Sequence, residues 1–143
     1  MLKILIAPIM SCLVTKTPTI NELSNYLTCV DLTENIQVVD NWKPLVNEYF
    51  KEEDINKALL IIYCESTGYS KAVGKNTNGT EDRGLWQFND KTWDWLTPKL
   101  NIKENRFNPE TSTRVASWLI YNDGWHHWNS SKHCWKNHDK ILD

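Results

Sequence analysis

The sequence predicts an α+β domain, mainly helical, with one small antiparallel β-hairpin sheet. Three observations predict it. Apolar residues recur at helical spacing at Ile55, Ala58, Leu59, Ile62 and Tyr63, and again at Val115, Trp118 and Leu119. Asn78-Gly79, the strongest short hairpin signal, lies between two extended stretches, residues 72–77 and 80–83. The length of 143 residues suits one domain, which buries roughly two-thirds of its unfolded surface and needs no cross-link to fold.

Residues 1–12, MLKILIAPIMSC, put one lysine ahead of a short apolar run. The run resembles a truncated export signal, and Ile9-Met10-Ser11-Cys12 loosely resembles a lipoprotein processing site. Pro8 interrupts it, and a plain N-terminal extension is the other reading. The run is too short to span a bilayer. Residues 13–40 are polar, rich in Thr and Asn and without a clean period, so they read as a linker or loose lead-in. A short helix over 20–27, started by Thr19 or Asn21, is compatible with them. The expected division is therefore an extension over 1–41 and a folded domain over 42–143.

Within that domain, Pro44 opens a helix that carries Leu45, Val46, Tyr49 and Phe50 at helical spacing. Asp54 is expected to cap the next helix and Gly68 to stop it, which leaves Glu65 in the last turn. After the hairpin, Gly84 gives a second bend and residues 85–88 return as a third strand. Asn89 or Asp90 caps a helix through Trp93 and Leu96 that Pro98 is expected to end. Asn108, Pro109 and Glu110 open a further helix, with Val115, Trp118, Leu119 and Asn122 on one side and Gly124 at its close. Trp125, Trp128, Cys134 and Trp135 follow, then a polar tail.

A formal charge of −2 gives no broad basic field, so electrostatic capture of nucleic acid or an anionic membrane is not indicated. Eight tryptophans suit an extended carbohydrate groove, although core packing accounts for tryptophan equally well. Cys12, Cys29, Cys64 and Cys134 allow up to two disulfides and contain no C-x-x-C pair, so an oxidising compartment is permitted without being required. His126, His127, His133 and His138 cluster near Cys134, but their spacings fit no tetrahedral zinc motif; surface histidines, no metal and no cofactor are expected. No internal repeat or Gly-rich phosphate loop is present.

Glu65 and Asp82 are 17 residues apart and flank the Asn-Gly turn. Apolar neighbours and a helix C-terminus both favour the protonated form of Glu65, whereas a wet hairpin edge keeps Asp82 ionised. One proton-bearing and one anionic carboxyl across a groove is the pair that cleavage of a glycosidic bond uses. The plainer readings are a solvated helix-end carboxylate for Glu65 and a turn carboxylate for Asp82, with Glu81 as the exposed alternative.

The run C-E-S-T-G-Y-S-x-A-V, followed by N-T-N-G-T-E-D-R-G-L-W-Q-F-N, resembles the lysozyme-like superfamily of C-type lysozymes, soluble lytic transglycosylases and resuscitation-promoting factors. The resemblance covers residues 42–136 and is densest over 64–89. It implies a lysozyme-like fold with the small sheet beside the active-site cleft. It puts Glu65 at the family's acid and Asp82 at its second carboxylate. Asn76, Gln87 and Asn89 fall on polar cleft positions, although sheet and helix capping would also explain Gln87 and Asn89. Trp125 and Trp128 look like the family's tryptophan pair, the first of which packs beside the acid. Trp93 and Trp95 cannot share a helix face, and Trp93 is the candidate cleft residue of the two. The run G-L-W-Q-F-N-D-K-T-W resembles bacterial and phage members, and a cysteine directly before the acid resembles resuscitation-promoting factors, which implies a Cys64–Cys134 disulfide. The other disulfides of C-type lysozymes are missing, and residues 1–41 match no pattern of the superfamily.

The activity so implied is cleavage of the β-1,4 bond between N-acetylmuramic acid and N-acetylglucosamine in peptidoglycan, by hydrolysis or lytic transglycosylation. It would be carried out outside the cytoplasm by a monomer without cofactor. A non-enzymatic glycan-binding or virion structural module is the rival reading, and a Cys/His metal or redox protein is a third.

Overall fold

The structure, a computed structural model, describes residues 38–136. The export-like run, the helix expected over 20–27, Cys12, Cys29 and His138 lie outside the described residues.

A 3-10 turn, Asp40–Trp42, leads into α1 (Lys43–Tyr49), whose Pro44 occupies the first turn where no intrahelical N–H is needed. A second 3-10 turn, Glu52–Asp54, leads into α2 (Ile55–Ser66). Ala58, Leu59, Leu60, Ile61 and Ile62 are all buried, so α2 runs through the middle of the core. Asp54 makes no capping bond; its carboxylate instead accepts the Tyr121 hydroxyl at 2.8 Å. The helix ends one residue earlier than expected, at Thr67, which takes the left-handed conformation (φ 50°) and closes the turn onto the Tyr63 carbonyl at 2.9 Å. Gly68 has a different task. Its carbonyl receives the Trp42 indole N–H at 2.9 Å, and a Cβ there would lie 3.2 Å from Val39 and 3.3 Å from Trp42. Val39 is fully buried, so the core reaches back past the boundary expected at residue 42.

The sheet is antiparallel in the order β1-β2-β3, with β1 Val73–Lys75, β2 Glu81–Arg83 and β3 Phe88–Asn89. Asp82, at the centre of the middle strand, is flanked by Gly74 on one side and Asn89 on the other. The third strand begins at Phe88 because residues 84–87 form a reverse turn, with Gly84 at φ 82° and Gln87 at φ 48°; residues 85–87 are therefore turn where strand was expected. Gly84 is required there twice over. Its φ is left-handed, and a Cβ would meet the Arg106 carbonyl oxygen at 2.1 Å.

Asn89 caps α3 (Asp90–Lys99) by accepting the Lys91 N–H at 3.1 Å. Pro98 lies inside this helix, one residue before its end, where a missing N–H forfeits a single bond and Leu100 still closes onto the Leu96 carbonyl at 2.9 Å. Asn108 caps α4 (Pro109–Asp123) through the Thr111 N–H at 2.9 Å, and Gly124 follows it. Residues Trp125–Ser131 form a kinked 3-10 segment, and α5 (Lys132–Trp135) ends the described chain.

The Cys64–Cys134 disulfide joins the last turn of α2 to α5 across 70 residues of chain. Closing a loop of that length removes about 4 kcal/mol of denatured-state entropy in the chain-entropy treatment. Replacing both cysteines with serine should therefore lower the unfolding free energy by up to about 4 kcal/mol. Denaturant titration of the oxidised wild type against the double variant measures the difference, and equal midpoints would contradict the expectation.

Candidate active site

Glu65 and Asp82 open onto one cleft of about 380 Å³. Glu65 comes from the helix, just after the buried run Ala58, Leu59, Leu60, Ile61 and Ile62, and Asp82 from the sheet, where every neighbour is polar or glycine. Asn76, Thr80, Gln87 and Asn89 form the polar wall, while Trp86, Phe88 and Trp128 form the apolar one. Gly74 leaves room at Asp82, since a Cβ there would lie 3.0 Å from Gln87 Oε1 and 3.8 Å from the Asp82 Cβ.

Burial raises the Glu65 carboxyl from an ordinary 4.5 to about 7. The Ser131 hydroxyl, which donates to Glu65 Oε1 at 2.5 Å, acts against this by favouring the carboxylate. The Asp82 charge pushes in the same direction as burial. Ser66, next in the chain, donates to the Leu85 carbonyl at 2.8 Å and so pins the end of α2 to the turn between β2 and β3. That bond and the disulfide at Cys64 hold Glu65 from both sides in sequence.

On the opposite wall, Asn89 Nδ2 donates to Asp82 Oδ1 at 2.7 Å and to Thr80 Oγ1 at 2.9 Å. Thr80 also accepts from Asn76 Nδ2 at 3.2 Å and donates to Asn78 Oδ1 at 2.7 Å. Asn76, Asn78, Thr80, Asn89 and Asp82 thus form one connected network. Gln87 spends its amide on the Gly84 and Ala72 carbonyls, at 2.8 and 3.2 Å. Asn89 and Gln87 both line the cleft, and their amide N–H groups already serve the sheet.

The tryptophans are placed differently from the expectation. Trp93 is buried on the same helix face as Leu96, 5.3 Å from the Phe88 ring, and Thr92 stands at the cleft instead. Trp95 is 49% exposed, under the Lys99 ammonium. Trp125 packs 6.2 Å from Phe50 beneath Lys57 and does not line the cleft. Residues three apart eclipse in a 3-10 turn, but Trp128 departs from helical dihedrals (φ −106°, ψ 23°), so the two rings part. Trp128 is the member of the pair at the cleft, fixed by its N–H on the Trp86 carbonyl at 3.0 Å.

Residues 45–129, more than half of the chain, match the family described as the transglycosylase SLT domain. The chain belongs to that family. Comparisons with curated proteins and with solved structures gave no match. SLT domains are lytic transglycosylase domains that act on peptidoglycan, and the mainly helical architecture with a three-stranded sheet agrees with their lysozyme-like fold. Two residues that support this SLT site were missed in the sequence. Ser131 lies 66 residues from Glu65, in a Ser-Ser pair with no motif around it. Arg106, buried in a polar stretch, donates to the Phe88 carbonyl at 2.6 Å and pairs with the Asp90 carboxylate, which accepts the Glu81 N–H at 2.7 Å. An isolated arginine in a loop gives no sequence signal for such a role.

Removing the Ser131 hydroxyl should move the Glu65 titration upward from about 7, and Asp82→Asn should move it downward. NMR titration of the Glu65 carboxyl carbon in each variant reads the direction, and opposite shifts would refute the assignment of causes. The raised value also has a consequence for stability. Between 4.5 and about 7 the folded chain holds a proton that the unfolded chain has lost, so stability falls as pH rises through that window. Glu65→Gln should flatten the dependence and melt higher than wild type above pH 7, as calorimetry across the window would measure.

Proposed function

We propose that this SLT domain cleaves the β-1,4 bond between N-acetylmuramic acid and N-acetylglucosamine as a lytic transglycosylase. Glu65 protonates the glycosidic oxygen of the leaving sugar. The bond to C1 breaks through an oxocarbenium-like state, which the anionic Asp82 stabilises from the polar wall. Glu65, now a carboxylate, takes the proton from the muramic acid's own hydroxyl as that oxygen closes on C1, leaving an anhydro end. The apolar wall of Trp86, Phe88 and Trp128 carries sugar faces, and the network around Thr80 meets hydroxyl and N-acetyl groups. The work is done outside the cytoplasm on the wall of a bacterium, by the organism itself or by a virus infecting it. Among the described residues no helix is long and apolar enough to cross a membrane.

The single observation that carries this reading is a carboxyl group with a titration near neutrality at the wall of a polar cleft, because such a group can give up a proton and take one back at the same pH. Hydrolysis is the second reading. Asp82 on the same cleft favours it, since a carboxylate that reached C1 could trap the sugar until water released it.

Zymography on bacterial wall and mass analysis of the released muropeptides test both. Glu65→Gln should lose at least ~100-fold of the activity, the usual contribution of a positioned general acid. The wild-type products should carry anhydro ends, each lighter by one water than a hydrolysis product. Hydrated ends alone would give the hydrolase. Unchanged wall clearing by the Glu65→Gln protein would instead leave a glycan-binding or virion structural module as the answer.

A further inference from the structure

We propose that Asp123, His126 and His127 form a binding site for one divalent transition-metal cation of the zinc class at the rim of the cleft. The expectation of surface histidines without a metal role rested on histidine spacing alone, and it left out the residue that completes the set. Asp123 is the last residue of α4. Gly124 follows with φ 94° and ψ 178°, a region that is essentially glycine-only, and there the chain leaves the helix. The 3-10 segment that begins at Trp125 then places two consecutive imidazoles back over the helix end. His127 Nε2 lies 2.7 Å from Asp123 Oδ2, and His126 Nε2 lies 3.5 Å from the same oxygen. One ligand atom from each of the three residues falls within 4.8 Å of the others.

Two imidazoles and one carboxylate are borderline-to-hard donors suited to Zn²⁺, Co²⁺ or Ni²⁺ rather than to Ca²⁺ or Mg²⁺, which prefer all-oxygen shells. Metal–ligand distances of about 2.0–2.2 Å require donor atoms roughly 3.3 Å apart in a tetrahedron, and the two distances to the Asp123 oxygen, 2.7 and 3.5 Å, lie close to that spacing. The plainer reading is an ion pair at a helix end, in which both imidazoles face the one carboxylate oxygen. The geometry that goes beyond it is convergence: the two ring centroids lie 4.2 Å apart and one ligand atom of each residue falls within 4.8 Å of the others, so a single shared cation could take both nitrogens and the oxygen.

The three side chains are 51%, 55% and 22% exposed for Asp123, His126 and His127, so solvent reaches the site and a fourth position is left to water or to a group on a ligand. His127 also lines the cleft, and the segment it belongs to carries Trp128 and Ser131. A cation there would fasten the beginning of the segment that holds Glu65's hydrogen-bond partner. This inference stands whether or not the cleft cuts glycans, because its test reads metal and not activity.

Isothermal titration of the untagged full chain with ZnCl₂ at neutral pH should show one saturable site. The visible spectrum of the Co²⁺ form should have the intense bands of a low-coordinate nitrogen/oxygen site, and melting temperature should rise with Zn²⁺. His126→Ala and Asp123→Asn, both checked for folding by near-ultraviolet circular dichroism, should lose the saturable heat and the Zn²⁺-dependent rise in melting temperature. His133→Ala, a nearby histidine outside the set, should keep both. Absence of saturable binding in the wild type, its persistence in both ligand variants, or its loss in His133→Ala would each overturn the assignment.

Discussion

A carboxylic acid that donates a proton near neutrality has to be withheld from water while staying open to a substrate, and the surroundings of Glu65 meet both conditions. It sits where a helix that runs through the core comes out into the cleft. Cys64 before it is tied to α5, and Ser66 after it is tied to the Leu85 carbonyl, so neither side of the residue can relax toward solvent. Desolvation is the largest influence on its titration, and desolvation persists only while the geometry does. The buried rings of Trp86 and Trp128, 5.5 Å apart and edge to face, supply the low-polarity wall on the other flank.

The sheet faces a different problem. Three strands of two or three residues cannot hold themselves together, and the polar cleft side gives them no hydrophobic face to bury. Side chains do the work that length would otherwise do. Arg106 joins the carbonyls of β2 and β3 to the first turn of α3 through Asp90, whose carboxyl the Glu81 N–H first and then this pairing hold below the usual range. Gly84 is what lets the Arg106 backbone come so close. On the opposite side, Thr80 gathers Asn76, Asn78 and Asn89, and Asn89 passes the order on to Asp82. The polar wall is therefore cross-linked by its own side chains, which in the proposed reaction would lower the cost of organising a charged transition state.

Local signals made much of this legible in the sequence. Helical period gave α1, α2 and α4, Asn78-Gly79 gave the hairpin, and the asparagines at 89 and 108 gave two caps. Glu65 and Asp82 were legible because their placement depends on short stretches of chain. Trp93 and Trp125 were misplaced for one reason: which side of an element faces the cleft is decided by tertiary packing and, at Trp128, by a kink that no local propensity encodes. Ser131 and Arg106 were hidden because each acts across sequence, by contact with residues that only the fold brings near. Thr67 ended α2 where glycine was expected, since Gly68 was needed to admit Trp42 and Val39.

The pairing of Glu65 with Ser131 bears on how one residue can act first as acid and then as base. The Ser131 oxygen lies within hydrogen-bond distance of two acceptors, Glu65 Oε1 at 2.5 Å and the Trp128 carbonyl at 3.1 Å, and a hydroxyl has a single hydrogen to give. When Glu65 is ionised, the hydrogen goes to the carboxylate. When Glu65 is protonated, its own O–H can donate to the Ser131 oxygen, and the serine hydrogen turns to the Trp128 carbonyl. Both protonation states thus keep the Glu65–Ser131 hydrogen bond without moving a heavy atom. An arginine or lysine in the place of Ser131 would favour only the anion and hold the acid discharged; a purely apolar neighbour would favour only the acid and impede the return of the proton. A hydroxyl with a second acceptor behind it is what the proposed role of Glu65, acid first and base afterwards, requires.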